Sequence, residues 1–254
     1  MSDVAQDLKA VGLHAVAAQW NDVLDFATRQ RMSPVQVVEH LLATELKDRA
    51  RRSLERRTTR AQLGRFKPMA DYDWRWPGAI DRELVEAALR LEFLAEPRNV
   101  VLVAPQGLGK TMIAQNIAHQ AILAGHSVLF TSAAKMLVEL GGVQGSAHLF
   151  QQRLRKYTRV GLLIVDEVGY LSYDSKAADL LFQVVSERHE KRPLVLTTNL
   201  TFSDWPTIFP NASCTVALID RVLHHADVIA IEGESYRRRE AEARKSARRK
   251  KGTG

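Results

Sequence analysis

One stretch constrains this 254-residue chain more than any other: VLVAPQGLGKTMIA, residues 101–114. An apolar run ends at Ala104, two glycines follow in a short loop, and Gly109-Lys110-Thr111 opens a second apolar run. Loops of the form G-x-x-x-x-G-K-[ST] curl their backbone N–H groups round phosphates. The lysine reaches the terminal phosphates, and the hydroxyl holds Mg2+ at a helix N-terminus. Gly107 and Gly109 stand where a side chain would block the anion or where positive φ is needed. Ala104 occupies the place of the first glycine, but it closes the preceding strand, where a methyl group intrudes less than inside the loop. The candidate nucleotide-binding residues are Pro105, Gln106, Gly107, Leu108, Gly109, Lys110, Thr111 and Met112.

A nucleoside triphosphatase also needs a carboxylate for the metal and a base for water, at the end of a strand beside the loop. In VGLLIVDE (160–167), Leu162 to Val165 suit a strand buried on both faces, and the run ends in Asp166 and Glu167. A third run, PLVLTTN (193–199), ends in the amide of Asn199. Strands are expected at 100–103, 127–131, 162–165, 194–198 and 228–231, separated by helix-like segments. That rhythm predicts an α/β domain with a parallel five-stranded sheet and a ligand at the carboxyl ends of its strands. Lys110 opens a helix that Gly125 stops, and Ser132 caps the next. GGVQG (141–145) breaks that one before an added helix at about 147–157, which holds Arg153, Arg155 and Lys156.

The first 65 residues read as a separate helical domain. Val4, Leu8, Val11, Val16, Trp20, Val23, Leu24 and Ala27 follow helical spacing, and Ser33-Pro34-Val35-Gln36 offers a capping box with proline at the first helical position. Val35, Val38, Leu41, Leu42 and Leu46 form an apolar stripe. Such helices bury little alone, so they are expected to pack on each other or on a second subunit. FKPMADYDWRWPGAI (66–80) is the expected linker into a domain spanning 81–236; Trp74 and Trp76 either flank a nucleotide or simply pack the junction.

Charge is segregated. The formal net charge is +7, yet residues 47–67 and 237–251 each carry +7, which leaves −7 on the rest. Two basic arms on an acidic body point to a polyanion. In the first arm Arg51, Arg52, Arg56 and Arg57 are candidate DNA contacts, although the same residues also suit the solvated face of a helix. The tail, 237–254, lacks apolar periodicity and is expected to be disordered, either as a second contact or as a solubilising end. Neither arm carries an aromatic ladder for stacking single-stranded bases, so duplex backbone contact with weak sequence preference is expected. A lone Cys214 excludes an intrachain disulfide. Without a signal peptide or a membrane-spanning apolar run, a cytoplasmic protein with no membrane partner is expected. Adjacent His224 and His225 would point to different sides of a helix and make no metal pair.

The stretches VLVAPQGLGKTMIA, LLIVDEVGYL, ADLLFQVVSERHE, LTTNLTFSDW, ALIDRVLHHADVIAIEGESYR and LLATELKDRARRSLERR together resemble the IstB family of transposition helper ATPases, over nearly the whole chain. That family belongs to the AAA+ P-loop ATPases and is similar to the helicase loader DnaC. The resemblance implies an ATPase with ATP and Mg2+ that forms an ATP-dependent homo-oligomer on duplex target DNA and stimulates a transposase. Carried over, Lys110 contacts the β- and γ-phosphates, Thr111 and Asp166 serve Mg2+, and Glu167 polarises the attacking water. Asn199 matches the sensor that positions this water. Arg221 matches the arginine finger that reaches a neighbouring subunit's γ-phosphate, against the alternative of a surface arginine paired with Asp220 or Glu232. Arg153, Arg155 and Lys156 lie on a helix that resembles the DNA-facing insertion of initiator-type AAA+ proteins. The usual helical lid has no evident counterpart after Glu232, and Arg237 or Arg238 stands where a second sensor would be. Three other readings share parts of this pattern: a DnaC-like loader, a small-molecule kinase and a DNA-coating protein with a degenerate site. The kinase has no use for two basic arms, and intact Lys110, Asp166 and Glu167 oppose the degenerate site.

Overall fold

The computed structural model describes residues 4–143, 145–170, 174–209, 212–236 and 239. The chain divides into two compact units, Met1–Arg56 and Arg57–Gly254.

The first unit contains α1 (Val4–Ala10), α2 (His14–Ala18), α3 (Trp20–Arg29) and the start of α4 (Pro34–Ala61), within which the division falls. The helical spacing of Val4 to Ala27 is broken twice, by Gly12 at φ 84° after α1 and by Gln19 between α2 and α3. The capping box forms as the sequence predicts: Ser33 N–H donates to Gln36 Oε1 at 2.8 Å, and Gln36 N–H to Ser33 Oγ at 3.4 Å. The apolar stripe faces out, with Val35 and Leu46 more than 60% exposed, whereas Glu45 beside it is buried. Glu45 Oε2 accepts the Ala15 and Val16 N–H groups at the start of α2, at 2.8 and 3.4 Å, and Oε1 accepts from Arg49. Burial disfavours this carboxylate, but Arg49 and the two N–H groups outweigh it and hold its pKa below the ordinary value. A buried acid therefore does the joining that a leucine would be expected to do.

The second unit continues through β1 (Ala79–Ile80), α5 (Arg82–Leu89), β2 (Asn99–Val103), α6 (Lys110–Leu123), β3 (Val128–Ser132) and α7 (Ala133–Gly141). It goes on through α8 (Ala147–Thr158), β4 (Leu162–Val168), α9 (Ser175–Arg188), β5 (Leu194–Thr198), α10 (Ala212–Leu223) and β6 (Ala226–Glu232). The sheet order is β1-β6-β2-β5-β4-β3. The five expected strands pair in parallel, and two-residue β1 adds an antiparallel edge by pairing Ala79 with Glu232 and Ile80 with Ile231. Central β2, β4 and β5 are buried on both faces, as parallel strands covered by helices must be. Each fully buried aliphatic side chain there contributes roughly 1.5–3 kcal/mol. Met136 and Leu140 of α7 lie in the same core, and α7 and α9 are capped by Ser132 and Asp174.

The amino ends of β4 and β5 are closed by Arg188, which is 1% exposed. Its guanidinium donates to the carbonyls of Tyr157, Val160, Gly161 and Pro193 at 2.6–3.2 Å. Burial, with Arg192 nearby, pushes its pKa down to about 9. Among the described residues no helix is long and apolar enough to cross a membrane.

Candidate functional site

The site forms where the carboxyl ends of β2, β4 and β5 meet the start of α6. The ladder of β2 with β5 runs one residue past Val103: Ala104 N–H donates to the Thr198 carbonyl at 3.2 Å, and Ala104 is buried. The position of the missing glycine is thus the last rung of a strand pair, where a methyl group is accommodated. Gly107 and Gly109 have φ of 85° and 88°. A Cβ on Gly109 would lie 2.6 Å from Tyr72 Cε2, and one on Gly107 would run into the Ser235 side chain. Both positions thus require glycine twice over, for backbone angle and for space. Lys110 heads α6, and its Nζ donates to the carbonyls of Ala104 and Pro105 at 2.5 and 2.9 Å.

The next residue, Thr111, lies 3.1 and 3.0 Å from the two carboxylate oxygens of Asp166 on β4. At Asp166 and Glu167 the pairing of β4 with β5 is interrupted, between Val165 and Val168, and Glu167 adopts φ 61°. Such a left-handed backbone costs a residue with a side chain ~1–3 kcal/mol and persists only where the surroundings over-determine it. Thr197, facing the interruption from β5, donates to Asp166 Oδ1 at 2.5 Å and accepts the Glu167 N–H at 2.9 Å.

These groups border a cavity of about 670 Å3 lined by Gln106 to Met112, Glu167, Thr197 and Asn199. Aromatic Phe66, Tyr72, Trp76 and Tyr236 line it further, beside charged Arg65 and Lys67. Tyr72 OH donates to the Leu108 carbonyl at 3.2 Å, and burial pushes its pKa up to about 12. Trp76 Nε1 donates to the Glu234 carbonyl at 2.8 Å, and Tyr236 N–H to the Gly107 carbonyl at 3.1 Å. Trp76 therefore lines the cavity, whereas Trp74 packs behind it against Tyr72 and under Arg82. The strap carrying these aromatics is tied to α6 by buried Asn116, which donates to the Lys67 carbonyl at 2.8 Å and accepts the Met69 N–H at 3.1 Å. Glycines that a Cβ would fill, a lysine at the head of a helix and a hydroxyl–carboxylate pair suit a nucleoside triphosphate with a divalent cation.

The predicted phosphate-loop residues, Asp166, Glu167 and Asn199 are thus brought together. Pro105 contributes its carbonyl to Lys110 rather than lining the cavity. Arg221 does not line it: its guanidinium lies 4.6 Å from the Phe182 ring and donates to Ser186, both on α9. On α8, Arg153 and Arg155 are exposed, but Lys156 Nζ sits 2.6 Å from Glu139 of α7. Burial opposes the Glu139 carboxylate, yet Lys156 and the Tyr157 hydroxyl outweigh it and keep its pKa low. On α4, Arg51 pairs with Asp48 and Glu55, and Arg52 with Asp48 and Glu45. Arg56 is exposed, and Arg57 Nε donates to the Ile122 carbonyl at 3.2 Å. Arg237, Arg238 and the tail beyond Arg239 lie outside the described residues. His224 and His225 follow the end of α10 instead of sharing a helix, and His224 meets Glu190 and His189, the donor atoms of the three lying within 4.8 Å of one another.

Sequence reading missed Tyr72, Asn116, Thr197 and Ser235. Only Thr197 had a usable signal, a polar residue in an otherwise apolar run directly before the Thr198-Asn199 strand end.

Residues 6–244 match the family described as IstB-like ATP binding protein. The chain is 32% identical over 231 residues to the putative ATP-binding protein of insertion sequence IS232 from Bacillus thuringiensis subsp. berliner, spanning 91% of this chain and 92% of that one. Identity is also 32%, over 218 residues, to the putative ATP-binding protein of IS21 from Pseudomonas aeruginosa, with 86% and 82% covered. Among solved structures, the DnaC helicase loader matches with a TM-score of 0.53 at 14% identity, over 68% of this chain and 97% of that one. DnaI matches with a TM-score of 0.53 at 19% identity, over 68% and 92%. The fold is that of an α/β AAA+ P-loop protein with a helical N-terminal part.

Proposed function

Because this chain belongs to the IstB-like ATP binding protein family, we propose that it hydrolyses ATP as the helper of a DNA transposition system, assembling on duplex target DNA and stimulating a transposase. The observation that carries the hydrolytic part is the convergence of Lys110, Thr111, Glu167 and Asn199 from three strand ends on one cavity, with Asp166 held against Thr111. The transposition part is supported by relatives named for insertion sequences. The likeness to DnaC is one of fold and supports a shared nucleotide chemistry rather than a shared client.

In this reading the backbone N–H groups of 106–109 and the Lys110 ammonium hold the phosphates of the substrate. Thr111 and Asp166 would hold a magnesium ion, which supplies charge neutralisation at the terminal phosphates. Glu167 accepts a hydrogen bond from water at the cavity wall and polarises it for attack, and Asn199 orients that water with its amide. Arg221, which packs on α9 and does not line its own chain's cavity, acts on a neighbouring copy, so turnover depends on assembly. Arg153 and Arg155 meet DNA phosphates.

The test is ATP turnover with and without duplex DNA, read beside particle size. Lys110→Ala should lose ATP binding and assembly, whereas Glu167→Gln should keep both and lose turnover by on the order of 100-fold. Equal loss of ATP binding in the two variants would refute the separate roles, and a wild-type chain that never turns over ATP would refute the enzyme.

A further inference from the structure

We propose that Thr197 is a positioning residue that sets the two acids of the site with one hydroxyl, a role that rests on the reading of Glu167 given above. Nothing in the packing of β5 demands an oxygen here: the side chain is fully buried in the run LVLTT, where valine has the same shape. A buried hydroxyl is unfavourable unless it is bonded, and this one is bonded on both sides. It has one hydrogen to give and lone pairs to offer. The Asp166 carboxylate takes the hydrogen at 2.5 Å, and the Glu167 N–H takes a lone pair at 2.9 Å. A carboxylate can only accept and an amide N–H can only donate, so the direction of both bonds is fixed by the partners.

The need for this bridge comes from strand geometry. In a regular strand successive side chains point to opposite faces, which would separate Asp166 from Glu167. Here Asp166 meets Thr111, and Glu167 borders the same cavity. The chain achieves this by leaving the ladder between Val165 and Val168 and by turning Glu167 to φ 61°. That turn points the Glu167 N–H at a side chain instead of a strand carbonyl, and Thr197 supplies the acceptor. The same oxygen that holds the kink also orients the carboxylate next to it. Loss of the hydroxyl would free Glu167 to relax toward ordinary strand angles and carry its carboxylate off the cavity wall.

Thr197→Val and Thr197→Ser in the full-length chain test this. Each is measured for affinity toward a fluorescent ATP analogue, for kcat and KM, and for thermal melting. Thr197→Val should bind the analogue and show KM within about threefold of wild type while kcat falls on the order of 100-fold, the scale of an ångström-sized misplacement of a reacting group. Thr197→Ser keeps the hydroxyl and should restore kcat to within about threefold. In a Glu167→Gln background Thr197→Val should cost far less than in the wild-type background, because the part of its effect that passes through Glu167 is already gone and only the part through Asp166 is left. If the valine variant does not melt cooperatively, Thr197→Ala takes its place in the same comparison with serine. A valine variant with wild-type kcat, a serine variant as slow as valine, or losses that multiply in the double variant would each overturn the assignment. Turnover left intact by Glu167→Gln alone would instead overturn the parent reading of that glutamate.

Discussion

Replacing Arg153 and Arg155 by glutamine should flatten the salt dependence of duplex DNA binding, and replacing Lys156 should hardly alter it. All three residues share α8, so the distinction comes from their surroundings rather than from formal charge. Arg155 is exposed, and Arg153 approaches Glu139 only to 3.8 Å. Lys156 is already engaged: Glu139 lies 2.6 Å away and also accepts the Tyr157 hydroxyl at 2.5 Å. To meet a phosphate it would have to abandon a carboxylate that would then keep only the Tyr157 hydroxyl and the more distant Arg153. Each phosphate neutralised contributes about 0.9 to the slope of log K against log salt, so the double arginine variant should lose about 1.8 per protomer and Lys156→Gln less than about 0.5. Between about 50 and 200 mM salt the double variant should therefore lose roughly tenfold less affinity than wild type. The assay is fluorescence anisotropy with two unrelated duplexes and a non-hydrolysable ATP analogue, normalised to protomers bound. An unchanged slope in the double variant, or a Lys156 variant as flat as Arg155→Gln, would refute the assignment of contacts on α8.

Two further outcomes follow from single residues. Gly107→Ala should weaken ATP binding by on the order of tenfold or more, equivalent to ~1.4 kcal/mol, because its backbone is left-handed and its Cβ would strike Ser235; an unchanged dissociation constant in equilibrium titration would contradict this. Arg188→Met should destabilise the fold by on the order of 3 kcal/mol, seen as a melting point lower by roughly 6–12 °C, since four buried or half-buried carbonyls lose their donor; a melt within about 2 °C of wild type would show that water replaces the guanidinium at no cost.

What the sequence disclosed was local chemistry. The strand, loop and helix at 101–114 were legible because glycine, lysine, threonine and apolar runs each act within a few residues of their own position. The same holds for the caps at Ser33 and Ser132, whose partners lie three residues on. Long-range pairings were not legible. Ala79 and Ile80 become a strand only because Ile231 and Glu232 lie beside them, and two residues carry no period. The helical spacing of Val4 to Ala27 hid three short helices, since a hydrophobic period does not register a left-handed glycine at position 12. Counting basic residues gave Lys156 and Arg155 equal weight, although Glu139, seventeen residues from Lys156, separates them. Thr197 read as a strand residue because its two partners sit on another strand, thirty and thirty-one residues away.

Asn116 has a mechanical consequence. It lies on α6, the helix that starts at Lys110, and through one amide it grips the strap on both sides, at Lys67 and Met69. Tyr72, farther along that strap, leans back on Gly109 and the Leu108 carbonyl. Loop, helix and strap are thus linked in a closed ring of contacts. The wall from Gly233 to Tyr236 is attached differently, with the Trp76–Glu234 and Tyr236–Gly107 hydrogen bonds as its ties to the strap and the loop. Exchange of a bound nucleotide is therefore expected to involve this carboxyl-terminal wall, which can yield without unwinding the helix that grips the phosphates.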